Sequence, residues 1–171
     1  HLSRCKMVNT VDESLRQRAL AAASGVVDPE IPTLSIAELG ILRGVAVHDG
    51  AVEVTITPTY SGCPAMNLIA LDIEVALGQA GINQARVRTV LSPAWTTDWL
   101  TDCARAKLAA SGIAPPPHAT SRRALFNAPT LVCPLCGSAD TEQISEFGST
   151  ACKSLHRCRA CREPFDAFKC H

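Results

Sequence analysis

The spacing of hydrophobic residues changes several times over the first two-thirds of the chain. Apolar residues recur at three- and four-residue intervals over 11–24, 64–80 and 98–110, which predicts three helices. Alternation within 41–58, around an Asp-Gly turn, predicts a β-hairpin, and 85–93 continues as a third strand. The order of elements is αββαβα. We therefore predict an α+β sandwich in which helices cover a mainly antiparallel sheet.

The composition changes after this segment. Residues 113–130 hold four of the eleven prolines and show no apolar period, which is typical of a stiff linker. Six of the nine cysteines follow it, and the β-prone stretch around Gly148 predicts a hairpin. We therefore divide the chain into a leader or expression remnant (1–10), an α+β domain (11–112), a Pro-rich linker (113–130) and a small cysteine-rich module (131–171).

Charge and hydropathy narrow the classes of function. Sixteen basic residues balance sixteen acidic ones, so no overall field attracts nucleic acid or an anionic membrane. No apolar run approaches the ~20 residues of a membrane span, and the first residues lack the apolar centre of a secretory signal. Cysteine pairs without an export signal are typical of metal binding in a reducing compartment. These features predict a cytoplasmic protein.

Two CxxC pairs form the strongest motif. Cys133 and Cys136 are separated from Cys158 and Cys161 by 21 residues. Each pair offers two thiolates from one tight turn, and two such turns facing each other make a tetrahedral site. A module of fewer than ~40 residues buries too little surface to fold alone, so a structural metal supplies the missing stability. The spacing predicts a zinc ribbon, with iron as the alternative metal for a closed four-thiolate site.

Three further residues of this module are candidate ligands. Cys152 lies on the predicted hairpin, where it is either an extra metal ligand or a small core residue. His156 follows it closely, and Cys170 lies beside the last residue, where fraying is common. A second metal, or a redox-sensitive ribbon, therefore stays open at this point.

A single cysteine lies within the stretch TPTYSGCPAM, between the predicted hairpin and the second helix. Pro64 suits the first helical position, which places Cys63 at the helix N-terminus. Free N–H groups and the positive end of the helix dipole there are expected to lower the pKa of this thiol. Gly62 leaves room for a ligand, to which nearby hydroxyls would hydrogen-bond: those of Thr57, Thr59, Tyr60 and Ser61. Cys63 is thus either a reactive, metal-capturing thiol or a small buried hydrophobe.

Two carboxylates in the loop DPEIP are the remaining candidates. Asp28 and Glu30 lie beside prolines in a turn-rich segment. They are either metal ligands or ordinary loop carboxylates that cap turns and contact solvent. The chain shows no Ser/His/Asp pattern, phosphate loop, HExxH motif or nucleotide fingerprint, which argues against an autonomous enzyme.

Several of these stretches together indicate a family. The chain resembles the PaaD family of bacterial phenylacetate degradation in DPEIPTLSIAELGILRGV, VTITPTYSGCPAMNLIALDIEVAL, CPLCGS, FGSTACKSLHRC and EPFDAFK. The first two stretches are also similar to SufT-like iron–sulfur assembly domains. The resemblance extends from about residue 12 to residue 169, and Cys63, Asp28, Glu30 and both CxxC pairs match its motifs.

The resemblance implies an accessory subunit of the multicomponent phenylacetyl-CoA epoxidase. In that system a di-iron oxygenase receives electrons from a reductase that carries flavin and an iron–sulfur cluster, and these components would be the partners. It implies a maturation role, in which iron or a cluster passes transiently through Cys63, with Asp28 and Glu30 as further candidates. Because one thiolate cannot hold a cluster stably, Cys63 would act in a homodimer or with another molecule's ligand. The chain itself would not catalyse epoxidation.

Two alternatives accompany this maturation hypothesis. In the first, the chain is a structural or regulatory subunit of the same complex, and Cys63 is a packing residue. In the second, it is a nucleic-acid-binding ribbon protein, which the neutral total charge makes the weakest of the three hypotheses. The basic residues behind that idea are Arg122, Arg123, Lys153, Arg157, Arg159 and Arg162.

Overall fold

The computed structural model describes residues 10–117 and 131–169. The rest of the predicted leader, most of the predicted linker with Arg122 and Arg123, and Cys170 lie outside the described residues. The described part is a mixed α and β structure with two sheets, one in each predicted module. This confirms the predicted α+β class. None of the helices in the two described ranges has the length and hydropathy that a membrane span requires.

The first sheet has three strands in the order β1 (Leu42–His48), β2 (Ala51–Ile56) and β3 (Ala85–Thr89). β1 and β2 are antiparallel, whereas β2 and β3 are parallel. The prediction of a mainly antiparallel sheet is therefore wrong for one of the two pairs. The reason is that a helix connects β2 to β3, and such a crossover returns the chain in its original direction.

The hairpin between β1 and β2 forms as the sequence predicts. Asp49 and Gly50 adopt φ angles of 52° and 78°, which a tight two-residue hairpin turn requires. The alternating residues of β2, Val52, Val54 and Ile56, are all buried. The central strand thus turns one apolar face towards the helices and builds the core of the first module.

Three helices accompany this sheet: α1 (Thr10–Ser24), α2 (Ala65–Gln79) and α3 (Asp102–Ala110). α3 begins four residues later than predicted, because a short 3-10 turn over Thr97–Trp99 precedes it. The Thr101 hydroxyl accepts a hydrogen bond from the Ala104 N–H group at 3.0 Å and caps the new start. The buried face of α2 consists of Ala65, Met66, Ile69, Ile73 and Leu77.

The second sheet contains four strands: β4 (Ile113–Ala114), β5 (Thr141–Ser145), β6 (Lys153–Cys158) and β7 (Pro164–Phe168). Their order is β4–β7–β6–β5, and only the β4–β7 pair is parallel. The predicted hairpin corresponds to β5 and β6. β4 was not predicted: the first two residues of the segment assigned to the linker join the ribbon sheet instead.

The two modules share an apolar junction. The rings of Trp95 and Phe168 lie 5.8 Å apart between centroids. Phe168 and Cys152, both from the second module, are buried in the same apolar cluster as the helices and sheet of the first. The Lys169 N–H group, directly after Phe168, donates to the Cys152 carbonyl at 3.0 Å. This hydrogen bond holds the chain around Phe168 next to Cys152. The ribbon is thus packed onto the first module through its buried side chains.

Candidate functional site

The four cysteines of the CxxC pairs meet in one cluster. The sulfur atoms of Cys133, Cys136, Cys158 and Cys161 all lie within 4.8 Å of one another. The Cys133–Cys161 and Cys136–Cys158 sulfur pairs are 3.8 Å and 3.5 Å apart. A tetrahedral site with metal–sulfur bonds of ~2.3 Å has sulfur–sulfur edges of about 3.8 Å. The donor set and its spacing therefore fit a structural zinc ion.

Backbone groups hold both CxxC turns in similar shapes. Gly137 and Arg162, each the residue directly after a pair, adopt φ angles of 77° and 68°. The Gly137 N–H group donates to the Cys133 carbonyl at 2.9 Å. The Cys161 N–H group donates to the Cys158 sulfur at 3.5 Å and lowers the pKa of that thiol to about 6. The turns thus present their sulfurs as ligands and favour the thiolate at Cys158.

Cys152 is not part of this cluster. Its buried sulfur lies at the junction of the modules, 3.3 Å from the Glu30 Oε2 atom and 3.0 Å from the Thr150 Oγ1 atom. Burial raises the pKa of this thiol to about 12. The candidate extra ligand is therefore placed beside a carboxylate of the first module.

His156 lies on β6 but is also absent from the four-cysteine cluster. Its Nε2 atom is 2.9 Å from the Ser154 hydroxyl, and its ring stacks on Phe165 with 5.7 Å between centroids. Burial lowers the pKa of this imidazole. The geometry is that of a neutral, hydrogen-bonded core residue of the ribbon.

Cys63 lies one residue outside the position that the sequence predicts. Helix α2 begins at Ala65, and Pro64 occupies the N-cap position. The Cys63 carbonyl accepts from the Met66 N–H group, and the Cys63 N–H group donates to the Tyr60 carbonyl, both at 3.3 Å. The thiol is partly buried against the core of the first module. It therefore sits in a turn before the helix.

The prediction of a lowered pKa at Cys63 is wrong. Burial raises the pKa of this thiol, and the negative charges of Glu30 and Asp28 raise it further. The Ala65 N–H group and the Tyr60 side chain favour the thiolate but do not outweigh these effects. Desolvation and nearby carboxylates thus act more strongly than the end of the helix. Cys63 is a protonated thiol at neutral pH.

Asp28 holds the DPEIP loop in place. Its buried Oδ1 atom accepts hydrogen bonds from the N–H groups of Glu30 at 2.7 Å and Ile31 at 3.0 Å. Burial raises the pKa of this carboxyl group. The Oδ1 atom is therefore occupied by the loop, and its geometry directs Glu30 towards Cys152.

Four side chains from three separate stretches of the sequence form what we call the junction cluster: Glu30, Tyr60, Cys63 and Cys152. Burial raises the pKa of Tyr60 to about 12, and the charges of Cys63, Glu30 and Cys152 act in the same direction. The Tyr60 side chain also hydrogen-bonds to Cys63. The cluster thus joins two thiols, a phenol and a carboxylate at the contact between the modules.

A buried lysine borders the junction cluster. The Lys153 Nζ atom lies 3.4 Å from the Glu30 carbonyl oxygen and 3.1 Å from the Ser149 hydroxyl. Its side chain is only 5% exposed, although the sequence assigned it to a basic surface. Burial raises the pKa of Cys152 and of Asp28, and the positive charge of Lys153 acts in the opposite direction on both.

The loop before Cys63 also lines a cavity of about 290 Å³. The hydroxyl group of Thr57 is buried there and has no hydrogen-bond partner among the described residues. The hydroxyls of the stretch before Cys63 were predicted to face a ligand. Besides Thr57, the other three residues that carry them, Thr59, Tyr60 and Ser61, also line this cavity. The full lining consists of Thr57, Pro58, Thr59, Tyr60, Ser61, Leu91, Ala94 and Trp95.

The remaining basic residues of the ribbon are mostly paired. Arg157 and Arg159 both contact the Glu142 carboxylate, and Arg159 also lies 3.7 Å from the Asp140 carboxylate. These ion pairs reduce the positive charge that the described part of the ribbon offers to a nucleic acid. The described residues thus give the nucleic-acid hypothesis no support.

Comparison with known proteins decides the family. The family described as "PaaD zinc beta ribbon domain" matches residues 117–169, and the one described as "Iron-sulfur cluster assembly protein" matches residues 16–91. An Escherichia coli protein, named as one of the subunits of 1,2-phenylacetyl-CoA epoxidase, is 47% identical over 150 residues, which cover 88% of this chain and 90% of that protein. The chain belongs to the PaaD family.

The first module of this PaaD-family chain has wider relatives. It is similar to the Fe-S protein maturation auxiliary factor YitW of Bacillus subtilis, with 31% identity over 57% of this chain and 97% of that protein. The crystal structure of a domain of unknown function from Bacillus anthracis superposes with a TM-score of 0.54 and 25% identity. That match covers 58% of this chain and 95% of the other, so the ribbon is an addition to the shared α+β fold.

Sequence reasoning named the main residues of this PaaD-family site but missed how they meet. It left Tyr60 as one of several hydroxyls and assigned Lys153 to the surface. Lys153 directly follows Cys152, and both belong to a stretch that carries the family resemblance. This adjacency does not mark Lys153 as buried, since lysine is almost never fully buried unless it is paired.

Proposed function

We propose that this chain is an accessory maturation subunit of a phenylacetyl-CoA epoxidase, which handles iron or an iron–sulfur cluster through Cys63. The observation that carries the proposal is the junction cluster: the Glu30 carboxylate lies 3.3 Å from the Cys152 sulfur, and its charge acts on the partly buried thiol of Cys63. This site lies in the module that matches the iron–sulfur assembly family. Thiolates and carboxylates are suitable ligands for iron.

The protonation state of Cys63 suits transient binding. A thiol with a raised pKa stays protonated, and so less reactive, until a metal ion replaces its proton. The metal passes to a client when the client's ligands replace the Cys63 thiolate, which then takes up a proton again. Asp28 serves this step by holding the loop that presents Glu30.

The partners follow from the similarity to the Escherichia coli protein named for the epoxidase. We infer that the client is the cluster-bearing reductase or the iron-bearing oxygenase of the same cytoplasmic complex. The ribbon serves as the docking module, because its zinc site is closed by four thiolates and has no open position for chemistry. A homodimer or a client cysteine supplies any further ligands that a cluster needs.

A structural or regulatory subunit of the same complex is the second candidate function. The partial burial of Cys63 against the core favours it, because a small apolar packing role needs no metal. Under this alternative the Cys63→Ser variant still supports full loading of the client.

Anaerobic co-expression with the reductase component distinguishes these functions. Iron and acid-labile sulfide per reductase are measured with the native chain, with Cys63→Ser, with Cys103→Ser and without the chain. Cys103 is the matched control because its thiol is exposed and its sulfur lies 3.5 Å from the Glu38 carboxylate. We expect higher loading with the native chain and with Cys103→Ser only. Equal loading in all four samples would rule out maturation of the reductase. The same comparison would then be made with the oxygenase, and equal iron loading there would establish the structural role.

A further inference from the structure

We propose that Cys152 of the ribbon and Glu30 of the DPEIP loop complete, together with Cys63, a ferrous-ion site at the junction of the two modules. The proposal rests on the proposed function, in which Cys63 handles iron, and it adds the identity of the other protein ligands. It also gives the ribbon a direct part in metal capture, separate from its own four-cysteine site.

The first step of the argument is the contact between the modules. The Cys152 sulfur and the Glu30 Oε2 atom, which are 122 residues apart in sequence, lie 3.3 Å from each other. A sulfur and a carboxylate oxygen at this distance can bind one metal ion without a large backbone movement. Burial of Cys152 alone is what a core residue would show, but a core residue does not require a carboxylate as its neighbour.

The second step is the charge balance. Two thiolates and one carboxylate carry three negative charges, a ferrous ion contributes two positive charges, and Lys153 contributes the third. Lys153 is buried and its Nζ atom contacts the backbone of Glu30 itself. A buried lysine is costly unless negative groups compensate it, and the loaded site provides that compensation. The three ligands, the ferrous ion and Lys153 together carry no net charge, and the neighbouring Asp28 carboxylate is bound by the N–H groups of its own loop.

The third step is the position of Cys63. Among residues 10–117 and 131–169, only the four cysteines of the CxxC pairs bring three or more ligand atoms within 4.8 Å of one another. The charge of Glu30 acts on the Cys63 thiol, but the Cys63 sulfur does not converge with Glu30 and Cys152, so its side chain turns towards them when iron binds. Until then, Thr150 holds the Cys152 sulfur and Tyr60 holds Cys63. Such a site captures an ion and releases it more readily than the closed zinc site.

A cobalt titration of the full-length, zinc-loaded protein tests the site. One equivalent of Co²⁺ is added without oxygen, and the thiolate-to-cobalt charge-transfer absorption is recorded together with zinc content. We expect Cys63→Ser and Cys152→Ser each to lose about half of this absorption, since each removes one of two thiolates. Cys103→Ser is expected to retain it in full. Fe²⁺ is expected to raise the thermal midpoint of the native chain but not that of Cys152→Ser.

The outcomes separate this proposal from the proposed function. Full absorption in Cys152→Ser, with loss of all of it in Cys63→Ser, would overturn the ribbon's part and leave Cys63 as an iron-binding thiol. Full absorption in Cys63→Ser would overturn both. If Cys152→Ser loses its zinc or unfolds, the half-buried Glu30 carries the test: we expect Glu30→Gln to weaken Co²⁺ affinity by about tenfold or more. Unchanged affinity in Glu30→Gln would overturn the site.

Discussion

The two sulfur sites of this chain differ in almost every physical property. The ribbon site brings four thiols from two short turns within 4.8 Å of one another, and a backbone N–H group lowers the pKa of Cys158. The junction cluster contains one thiol from each module, and burial raises the pKa of both. The first arrangement fits a permanently bound structural ion, whereas the thiols of the second are protonated at neutral pH.

The comparison shows that cysteine count alone says little about metal handling. Four preformed ligands give a tightly bound structural ion, because no further group has to be ordered on binding. Two protonated thiols and a carboxylate give a weaker site, because binding must release protons and move a side chain. A chain that holds one ion structurally and exchanges another, as we propose for this one, requires this difference between its sites.

Removal of the ribbon metal is expected to have the largest effect. Cys158→Ser removes a fully buried ligand, and structural zinc sites contribute apparent binding free energies of about 10–16 kcal/mol. We expect the zinc content to fall from about one ion per chain towards zero and the ribbon to become sensitive to protease. Elemental analysis and limited proteolysis measure both. Full zinc retention by this variant would contradict a four-thiolate site.

Loss of the packing between the modules is expected to rank second. Phe168→Ala removes a buried ring that contacts Trp95 and the core of the first module. Phenylalanine-to-alanine changes in cores cost about 3–5 kcal/mol, so the free energy of unfolding in urea should fall by that amount. Zinc content should stay unchanged, because Phe168 is not a ligand. A simultaneous loss of zinc would show that the two sites depend on each other.

The pH dependence of iron binding is expected to sharpen the comparison further. Cys63 and Cys152 have raised pKa values, so each must release a proton when Fe²⁺ binds at neutral pH. Below both pKa values, affinity at the junction should therefore rise with pH, by about tenfold per pH unit for each thiol. Competition with an iron chelator between about pH 6.5 and about pH 8.5 measures this. An affinity independent of pH would mean that these thiols are not the ligands.

The smallest effect is expected at the exposed thiol of α3. Cys103→Ser changes a surface residue outside both sites, and such substitutions usually shift the free energy of unfolding by less than about 0.5 kcal/mol. Zinc content, iron affinity and the urea midpoint should all match those of the native chain. A loss of iron affinity in this variant would place a metal ligand on α3 and weaken the contrast between the two sites.

Local signals in the sequence were sufficient for most of the fold. The Asp49–Gly50 turn, the alternation along β2 and the CxxC spacing each depend on neighbouring residues, and the structure confirms the elements that they predict. The parallel pairing of β3 was missed, although the helix between β2 and β3 already favours it. The addition of β4 was missed because it depends on pairing with the distant strand β7, which no local signal shows. The start of α3 was misplaced because a 3-10 turn shares the same local signals.

The properties of the candidate site were harder to predict than its members. Cys63, Glu30 and Cys152 were all named from the sequence, but the pKa of Cys63 was predicted in the wrong direction. A helix end is a local feature, whereas the burial of this thiol depends on the packed core, and the carboxylates that raise its pKa are more than thirty positions away in sequence. Sequence reasoning therefore identified the chemistry of the site without its electrostatics.

The short strand β4 has a mechanical consequence. Only Ser111 and Gly112 separate α3 from Ile113, and backbone hydrogen bonds join β4 to β7 at the core of the ribbon. The ribbon therefore cannot swing on this side as a freely tethered arm would. A force applied to the ribbon is passed to α3 through this two-residue connection, in which Gly112 has a φ angle of 76°.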